Sequence, residues 1–465
     1  MLLRARTDLS EEEPGMPSAN VYDVTEWPAG NAYEDIGAVI NAIIADIKRR
    51  QTVRDSNDGG KPGAVIYIPP GDFRLRTQVV IDISFLRIAG SGHGFTSSSI
   101  RFNTPPAELE RWHEIWPGGS RILVELAEPG EGAAGAAFLV QRAGNPRISS
   151  VEFADFCIDG LHFSDASNGD AENSYRNGKT GIHIASANDS FRITGMGMVY
   201  LEHGLVSHHA DASTIDNNFI AECGSCIELR GMGQASKISN NLIGAGYHGH
   251  SIYAENFGGL LVSGNNVFPR GRSSIELSGV VRSSVTGNRL HAFYPGMLIF
   301  SGRCSENLVA SNHFLRDHEP WAPMTRYDNG LDDQFGLLHL NGDNNSVIAN
   351  HISASIDTRF LEPRGQRPVI IRIVSGTGNY VANNHIVATT ERAPAGDASS
   401  SDCFSTQVEA ILATENRAAL DVIAIRVEPG SSRNTILDSG SAREVLMDMS
   451  ANAFRATPVP GGAPN

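Results

Sequence analysis

The segment STIDNNFI at 213–220 opens a short pattern that recurs along the chain. Its further copies are SKISNNLI (236–243), LLVSGNNVF (260–268), SSVTGNRL (283–290), NLVASNHF (307–314), SVIANHI (346–352) and YVANNHI (380–386). The last asparagines of the copies are Asn218, Asn241, Asn266, Asn288, Asn312, Asn350 and Asn384, with spacings of 23, 25, 22, 24, 38 and 34 residues. A period in the low twenties is typical of a solenoid in which each repeat makes one turn.

The pattern inside each copy favours an all-β fold, a right-handed, single-stranded parallel β-helix of the pectin-lyase-like type. Apolar residues alternate in V-x-x-N-x-[ILF], as a strand with one buried face requires. Asparagine tolerates the left-handed conformation of a corner, and stacked asparagines can hydrogen-bond from coil to coil. A leucine-rich horseshoe would need recurring leucines and a helical segment in every copy, and the copies contain neither.

Composition narrows the class of partner. The chain has 465 residues, 41% of them hydrophobic, and a formal net charge of −15. A chain of this length can bury a large core as one solenoid domain. The negative charge argues against a nucleic-acid ligand, whereas a neutral, hydroxyl-rich sugar is compatible with it. No apolar run approaches the roughly 20 residues needed to span a bilayer, so no membrane segment is predicted.

The start of the chain bears on its location. The sequence MLLRARTDLSEEEPG has two leucines before charged residues begin, which does not match a signal peptide. The protein is therefore expected to be extracellular if a leader has been removed, and cytoplasmic otherwise.

Five parts follow from the patterning. Ile36, Val39, Ile40, Ile43, Ile44 and Ile47 share one helical face, so a helix at 36–47 is predicted to cap the open end of the solenoid. The predicted parts are a flexible arm at 1–20, an N-terminal cap at 21–62, the β-helix at 63–390, C-terminal coils with a helix (406–416) at 391–454, and a disordered tail at 455–465.

One coil concentrates acidic residues. The stretch HADASTIDNNFIAECGSCIELR (209–230) contains Asp211, Asp216, Glu222 and Glu228. Glycosidic chemistry needs two carboxyl groups, one to protonate the leaving oxygen and one to act as base or nucleophile. Asp216 lies in the recurring corner sequence, which favours a turn role, while Glu222 lies among small residues that leave space for a ligand. The residues alone leave all four acids open, because solvated surface acids are common.

If the coils stack, residues at equivalent positions in successive coils should lie above one another, and the sequence can be aligned coil by coil. Four segments align, namely GSCIELRG (224–231), GHSIYAEN (249–256), RSSIELSG (272–279) and PGMLIFSG (295–302). The alignment places Ile227, Ile252, Ile275 and Leu298 in an inward column. The adjacent residues Glu228, Tyr253, Glu276 and Ile299 form an outward column, and two carboxylates that flank a tyrosine can grip a sugar.

Cysteines and histidines give no metal motif. Cys223-x-x-Cys226 has no second pair, so two small buried thiols are the better interpretation. The spacing of His203, His208, His209, His248 and His250 matches no ligand motif, and surface or sugar-contacting roles are favoured. No metal ligand is therefore predicted.

Several longer segments resemble the inulin fructotransferase family. They are GAVIYIPPGDF, IAGSGHGF, MVYLEHG, ADASTIDNNFIAECGSCIEL, SIYAEN and CSENLVASNHF, within a resemblance that runs from about 21 to 387. The resemblance implies a right-handed parallel β-helix that assembles as a homotrimer, with active sites between subunits and no cofactor. It implies action on the ends of β-2,1-linked fructan with release of a cyclic difructose dianhydride, which close relatives instead hydrolyse to inulobiose.

The same resemblance singles out two acids. The catalytic pair of the family is an Asp and a Glu eleven positions apart, with the Glu in AECGSC, and these positions fall on Asp211 and Glu222. Glu222 is favoured as the acid, because a carboxyl among small apolar neighbours should have a raised pKa. The predicted substrate contacts are Glu228, Tyr253, Glu276 and His209.

Three functions stay open at this point. The first is an inulin fructotransferase that releases difructose anhydride III (DFA III), and the second is a DFA III hydrolase of the same family. A noncatalytic glycan-binding β-helix, like a phage tail fibre, is the alternative of another class. A pectin-cleaving β-helix would be expected to carry an Asp-rich calcium cluster, which the sequence does not show.

Overall fold

A computed structural model describes most of the chain. The described residues are 20–50, 63–94, 118–126, 132–144, 146–161, 176–245, 249–268, 273–317, 334–357, 368–391, 422–437, 446–449 and 453–456. The predicted arm, apart from residue 20, lies outside them, as do the predicted helix at 406–416 and the tail from 457 onward. No helix in the described part of the chain has the length and apolar character needed to cross a membrane.

Short parallel strands stack into four sheets, which confirms the predicted parallel β-helix. Sheet 1 has 14 strands, Val21–Asp23, Ala64–Tyr67, Leu86–Ala89, Glu152–Ala154, Arg192–Thr194, Thr214–Asp216, Lys237–Ser239, Leu261–Ser263, Ser284–Thr286, Leu308–Ala310, Ser346–Ile348, Tyr380–Ala382, Asn434–Leu437 and Ala453–Ala456. Sheet 2 has 11 strands, Gly71–Leu75, Ser120–Val124, Cys157–Asp159, Gly197–Val199, Phe219–Cys223, Leu242–Ala245, Asn266–Val267, Arg289–Ala292, His313–Arg316, His351–Asp357 and His385–Glu391.

Sheets 3 and 4 complete the coils. Sheet 3 has 14 strands, Val79–Ile81, Ala136–Val140, Thr180–Ile184, His203–His208, Ser225–Arg230, His250–Glu255, Ser273–Ser278, Leu298–Ser301, Cys304–Ser305, Leu338–Asp343, Val369–Thr377, Ile423–Val427, Ser431–Ser432 and Leu446–Met449. Sheet 4 has five, Ile148–Ser149, Asn188–Asp189, Ala210–Asp211, Gly233–Gln234 and Phe257–Gly258. Between 148 and 258 a coil runs through sheet 3, sheet 4, sheet 1 and sheet 2 before it returns to sheet 3, and the other coils pass from sheet 3 to sheet 1 without a sheet 4 strand.

The core is a set of inward columns. Ile227, Ile252, Ile275 and Leu298 are partners in successive strands of sheet 3, and all four are fully buried. The inward column predicted from the aligned segments is therefore present. Burying apolar side chains stabilises the stack by about 1.5–3 kcal/mol per large aliphatic residue, and each coil supplies several of them.

The corner between sheets 1 and 2 carries the recurring asparagines as a hydrogen-bonded ladder. Asn218 Nδ2 donates to Asn241 Oδ1 at 2.9 Å, and the same contact repeats from coil to coil up to Asn384. Each Oδ1 also accepts the backbone N–H of the asparagine in the preceding coil, as Asn241 does from Asn218 at 2.9 Å. All members are buried, so the ladder satisfies the hydrogen bonds of polar groups that water cannot reach.

One position of the predicted ladder is wrong. Asn265, not Asn266, occupies the third place, and Asn266 instead lies in sheet 2 opposite Leu242 and Arg289. The ladder residue is the one that follows the left-handed corner residue, which in this coil is Gly264 at φ +66°. The spacings up to Asn384 are therefore 23, 24, 23, 24, 38 and 34 residues. The ladder asparagines themselves are not left-handed.

A second ladder, which the sequence pattern did not reveal, lies at the corner between sheets 3 and 1, in coils beyond the last strand of sheet 4. Asn307 donates from Nδ2 to Asn345 Oδ1 at 2.9 Å, Asn345 to Asn379 at 3.1 Å, and Asn379 to Asn434 at 3.0 Å. The ladder carries the stack beyond 391, and the strand Ala453–Ala456 enters the segment predicted as a tail because it pairs with Asn434–Leu437.

The N-terminal capping helix is present and longer than predicted. It spans Ala32–Arg50, and the six predicted isoleucine and valine residues are buried. Asn31 precedes it, and its Oδ1 accepts the Tyr33 N–H at 3.0 Å. Glu34 and Asp35 lie in the first turn and three basic residues in the last, as the helix dipole favours.

Candidate active site

The outward face of sheet 3 gathers charged and aromatic side chains. Glu228, Tyr253, Glu276 and Ile299 are register partners in four successive strands, as the aligned segments predicted. The neighbouring coils extend this column with Val206 on one side and His339 on the other. Because adjacent parallel strands lie about 4.8 Å apart, the column runs along the stack one coil at a time. Tyr253, Glu276 and His339 are its partly exposed members.

Glu228 is the most constrained acid of this face. Its side chain is 2% exposed, and its two oxygens contact His203 Nδ1 at 2.6 Å and Arg230 Nη2 at 2.7 Å. Burial alone would raise the pKa of Glu228, but the hydrogen bonds and charges of His203 and Arg230 outweigh it and lower the pKa to about 2. Glu228 is therefore a fixed anion that orients its two neighbours.

Tyr253 links this anion to the next coil. The Arg230 guanidinium lies over its ring, 4.7 Å from the centroid, and its hydroxyl donates to Glu255 Oε2 at 2.9 Å. Burial, and then the contact with Glu255, raises the pKa of Tyr253 to about 12. The side chain therefore offers a flat ring and a protonated hydroxyl, both of which suit a carbohydrate.

Glu276 is the accessible acid of the column. Its side chain is 22% exposed, accepts the Ser301 hydroxyl at 2.6 Å and lies 3.6 Å from His250 Nδ1. The His250 ring packs 5.2 Å from that of Tyr253. Glu276, His250 and Tyr253 thus present hydrogen-bonding groups side by side, whereas Glu228, in the preceding coil of the same column, is buried and already paired.

Asp211 lies at one edge of this face, in the strand Ala210–Asp211 of sheet 4. Its side chain is 29% exposed, and its Oδ2 lies 3.4 Å from Arg147 Nη1 and 3.3 Å from Gln234 Nε2. Arg147 also lies 3.8 Å from Asp189, the register partner of Asp211 in the preceding coil. Sequence reasoning missed Arg147 and Asp189, because Arg147 is 64 positions from Asp211.

Glu222 lies at the other edge, in the strand Phe219–Cys223 of sheet 2. The register against the next coil shifts between Ile220 and Cys223, so the strand bulges there, and Glu222 has φ +53°. A left-handed glutamate costs about 1–3 kcal/mol and such strain clusters at functional sites. The side chain is 4% exposed. Bulges next to active sites commonly redirect a side chain.

Small residues surround that corner, as the AECGSC sequence suggested. A Cβ atom added to Gly249 would lie 1.0 Å from the Gly224 carbonyl oxygen, so the backbones of the two coils touch. Cys223 and Cys226 are both buried in the core, and the Cys226 thiol donates to the Gly244 carbonyl at 2.9 Å. Burial raises the pKa of the Cys226 thiol. Both cysteines are small buried thiols, as predicted.

One chain does not bring Asp211 and Glu222 together. Asp211 follows the strand His203–His208, whereas Glu222 precedes the neighbouring strand Ser225–Arg230. The length of a six-residue strand, about 20 Å at roughly 3.3 Å per residue, therefore separates the two corners. Asp216 accepts from Ser239 and Asn240 at 2.6 and 3.0 Å, which suits the corner role expected for it.

His209 lies with Asp211 rather than with Glu228. It is exposed at the corner after His203–His208, and its Nδ1 lies 3.3 Å from the Met232 carbonyl oxygen. The functional candidates thus fall into three groups, which are the Asp211 corner with His209 and Arg147, the Glu222 corner, and the column that runs from Glu228 to Glu276 between them.

The fold and the outward face of sheet 3 together define the class of protein. It is a parallel β-helix with an acid-rich face that lies between the Asp211 and Glu222 corners. A family described as "Beta helix repeat of Inulin fructotransferase" matches residues 311–458, and one described as "Periplasmic copper-binding protein (NosD)" matches 145–327. An inulin fructotransferase [DFA-I-forming] of Arthrobacter globiformis is 46% identical over 374 residues, 79% of this chain and 89% of the relative.

Solved structures extend the similarity. The DFA-IIIase of Arthrobacter chlorophenolicus A6, in complex with DFA-III, is 65% identical, covers 95% of this chain and 99% of that one, and has a TM-score of 0.85. A Dettilon tailspike is 13% identical with a TM-score of 0.51, covers 94% of this chain and 68% of that one, and shares the fold alone. The chain belongs to the inulin fructotransferase family, which confirms the prediction of an enzyme of this family.

Proposed function

We propose that this enzyme acts on the fructose–fructose junction that inulin ends and DFA III have in common. The observation that carries the proposal is the placement of Asp211 and Glu222, at the two family positions, on either side of a polar face. The 65% identity to a protein in complex with DFA-III, against 46% to a DFA-I-forming relative, favours DFA III as the dianhydride.

In the transferase direction, Glu222 protonates the glycosidic oxygen that leaves. The Asp211 carboxylate removes the proton of the 3-hydroxyl on the neighbouring fructose, and that oxygen attacks the anomeric carbon as the bond to the leaving oxygen breaks. The products are a fructan shortened by two units and cyclic DFA III. A buried glutamate suits the acid and a partly exposed aspartate suits the base.

Hydrolysis of DFA III is the second candidate, and the higher identity to the DFA-IIIase favours it. Here a water molecule replaces the 3-hydroxyl as nucleophile, one carboxyl removes its proton, and the other protonates the leaving oxygen of the dianhydride. The product is inulobiose. Both directions need the same pair of acids, so they differ in whether water reaches the anomeric carbon.

The proposed active form is a homotrimer with one site between each pair of neighbouring subunits. Paired glycosidase carboxyls lie about 5–9.5 Å apart, so corners separated by about 20 Å in one chain do not form such a pair. A three-fold ring in which the Asp211 corner of one subunit faces the Glu222 corner of the next would supply it.

Product analysis tests the reaction. The enzyme is incubated with inulin and, separately, with DFA III, and the products are separated by chromatography. Cyclic DFA III from inulin identifies a transferase, and inulobiose from DFA III identifies a hydrolase. If neither substrate changes while either one still binds, the enzyme proposal is overturned in favour of a noncatalytic glycan-binding protein.

Mixed trimers test the shared site. Asp211→Asn and Glu222→Gln chains are co-expressed, purified together and compared with each variant alone. If each site takes one acid from each of two subunits, about a quarter of the sites in randomly mixed trimers contain both intact acids and activity returns to that level. Mixed trimers as inactive as the single variants would show that the two acids act within one chain.

A further inference from the structure

Three histidines stack on the outward face of sheet 2, away from the candidate active site. His313, His351 and His385 are register partners in three successive strands. Each is the first residue of its strand and directly follows a ladder asparagine. The three histidines therefore occupy equivalent positions in successive coils. His351 and His385 are exposed and His313 is half-buried. The solenoid thus holds three imidazoles one coil apart in a row.

The imidazoles of His351 and His385 are close enough to share a cation. The rings of His351 and His385 have centroids 4.9 Å apart, and their Nδ1 atoms are separated by 3.0 Å. Metal–imidazole bonds are about 2.0–2.1 Å long, so two nitrogens at this separation subtend an angle of about 90° at a bound ion. Square-planar and octahedral ions require that angle, whereas tetrahedral zinc prefers a wider one.

A neighbouring serine prepares His351 as a ligand. His351 Nε2 lies 3.0 Å from Ser353 Oγ. A ring N–H that donates from Nε2 leaves the lone pair on Nδ1, the atom that faces His385. Ligating histidines generally have their second nitrogen held in this manner, which fixes the tautomer and the orientation of the ring.

We propose that His351 and His385 form a two-histidine chelate for Cu²⁺ or Ni²⁺, with water in the remaining positions. Imidazole suits both ions, and Cu²⁺ binds more tightly than the other divalent ions of the series. Within the described ranges no group of three or more His, Cys, Asp or Glu side chains is placed to hold a metal ion, so the proposed site takes these two histidines as its protein ligands.

A neighbouring positive charge disfavours metal binding at the His313 end of the row and leaves His351 and His385 as the ligands. His313 packs 4.9 Å from His351, on the side away from His385. Arg289 is the register partner of His313 in the preceding coil, so it repels a cation there. His313 is thus a neighbour of the chelate rather than a ligand.

Copper titration of the whole, tag-free protein tests this site. Calorimetry with CuCl₂ is performed on the wild type, His351→Ala, His385→Ala and the double variant, and electron paramagnetic resonance counts the nitrogens bound to Cu²⁺. Loss of one imidazole should weaken this site on the order of 100-fold, since the second ligand of a chelate binds intramolecularly. Ser353→Ala should weaken it about tenfold, as loss of an outer partner does.

His291→Ala is the matched control. His291 lies on the same sheet, but its Nε2 contacts Asp317 at 2.6 Å, and its loss should leave the copper titration unchanged. A spectrum with two imidazole nitrogens that disappears in the His351→Ala and His385→Ala proteins supports the chelate. Copper uptake equal in the wild type and the double variant would overturn it, whether or not the protein acts on fructans.

Discussion

Two kinds of polar column run along this solenoid, and they differ in whether their side chains remain accessible to a ligand. In the asparagine ladder from Asn218 to Asn384, each side chain is buried and satisfied by the coils above and below. On sheet 3, the column from Glu228 to Glu276 alternates charged and aromatic groups, and Tyr253 and Glu276 stay partly exposed. The same coil-to-coil register therefore builds one column that stabilises and another that can bind.

The acidic residues near sheet 3 differ in the same way. Glu228 is held as an anion by His203 and Arg230, so its charge is already balanced within the protein. Glu222 lies in a strained bulge at one corner, and Asp211 lies partly exposed at the other, where it shares Arg147 with Asp189. Substitutions at the edges of sheet 3 should therefore affect the reaction, and substitutions in the ladder should affect stability.

The largest effect is expected at the two edges of sheet 3. Glu222→Gln and Asp211→Asn should each lower kcat by about 10³-fold, since each removes a proton-transfer group. The melting temperature should stay near that of the wild type. Steady-state assays on inulin and DFA III check both statements, with Asp216→Asn as the control that keeps activity. Activity within tenfold of the wild type in either variant would break the assignment.

The next effect is a pH dependence on the sheet 3 face. His183 lies in register between Leu139 and Val206, and burial, together with His208 and His203, lowers its pKa from 6.5 to about 4, against the charge of Glu228. A lowered pKa gives a contribution to stability that is complete above pH 6.5 and is lost as the pH falls through about 4. With solvent screening of the partly shielded ring allowed for, this contribution is on the order of 2–3 kcal/mol.

His183→Leu tests that dependence, because leucine continues the apolar column. Melting temperatures measured from pH 7.5 to 4 should fall less steeply in the variant than in the wild type. Parallel curves for the two proteins would show that His183 does not take up a proton on unfolding.

A smaller effect is expected in the ladder. Asn265→Ala removes the oxygen that accepts from Asn241 N and Asn241 Nδ2, at 3.0 and 2.9 Å, and should cost about 2 kcal/mol of unfolding free energy. Asn266→Ala, one position along but in sheet 2, should cost less than about 0.5 kcal/mol. Denaturation midpoints compare the two, and kcat should be the same in both. Equal destabilisation by the two substitutions would contradict the register in which Asn265 is the ladder residue and Asn266 lies in sheet 2.

The smallest effect is expected at Tyr253. Tyr253→Phe keeps the ring under Arg230 but removes the hydroxyl that donates to Glu255, so KM should rise about fivefold, or ~1 kcal/mol, with kcat nearly unchanged. Tyr380→Phe, at an exposed tyrosine of sheet 1, is the control and should leave KM unaltered. An unchanged KM for Tyr253→Phe would argue that this face does not bind the sugar.

Much of the fold was predictable because the period repeats locally. The alternation within each copy predicted the strands, and the spacing predicted the stack and both columns of sheet 3. The error at Asn266 arose because two asparagines follow Gly264, and only the backbone conformation decides which of them turns inward. The second ladder was missed because earlier coils carry serine at the same corner, as Ser283 does before Asn307, so the corner does not repeat one residue type.

The sequence by itself determined that this chain winds into a capped parallel β-helix, because strand alternation, corner residues and period are local properties. It also placed two acids at the positions of the inulin fructotransferase family. Only the tertiary structure decided that Glu228 is paired with His203 and Arg230, that Glu222 lies in a bulge, and that a strand's length separates it from Asp211. Those features depend on register between residues from separate coils, which a linear pattern does not encode.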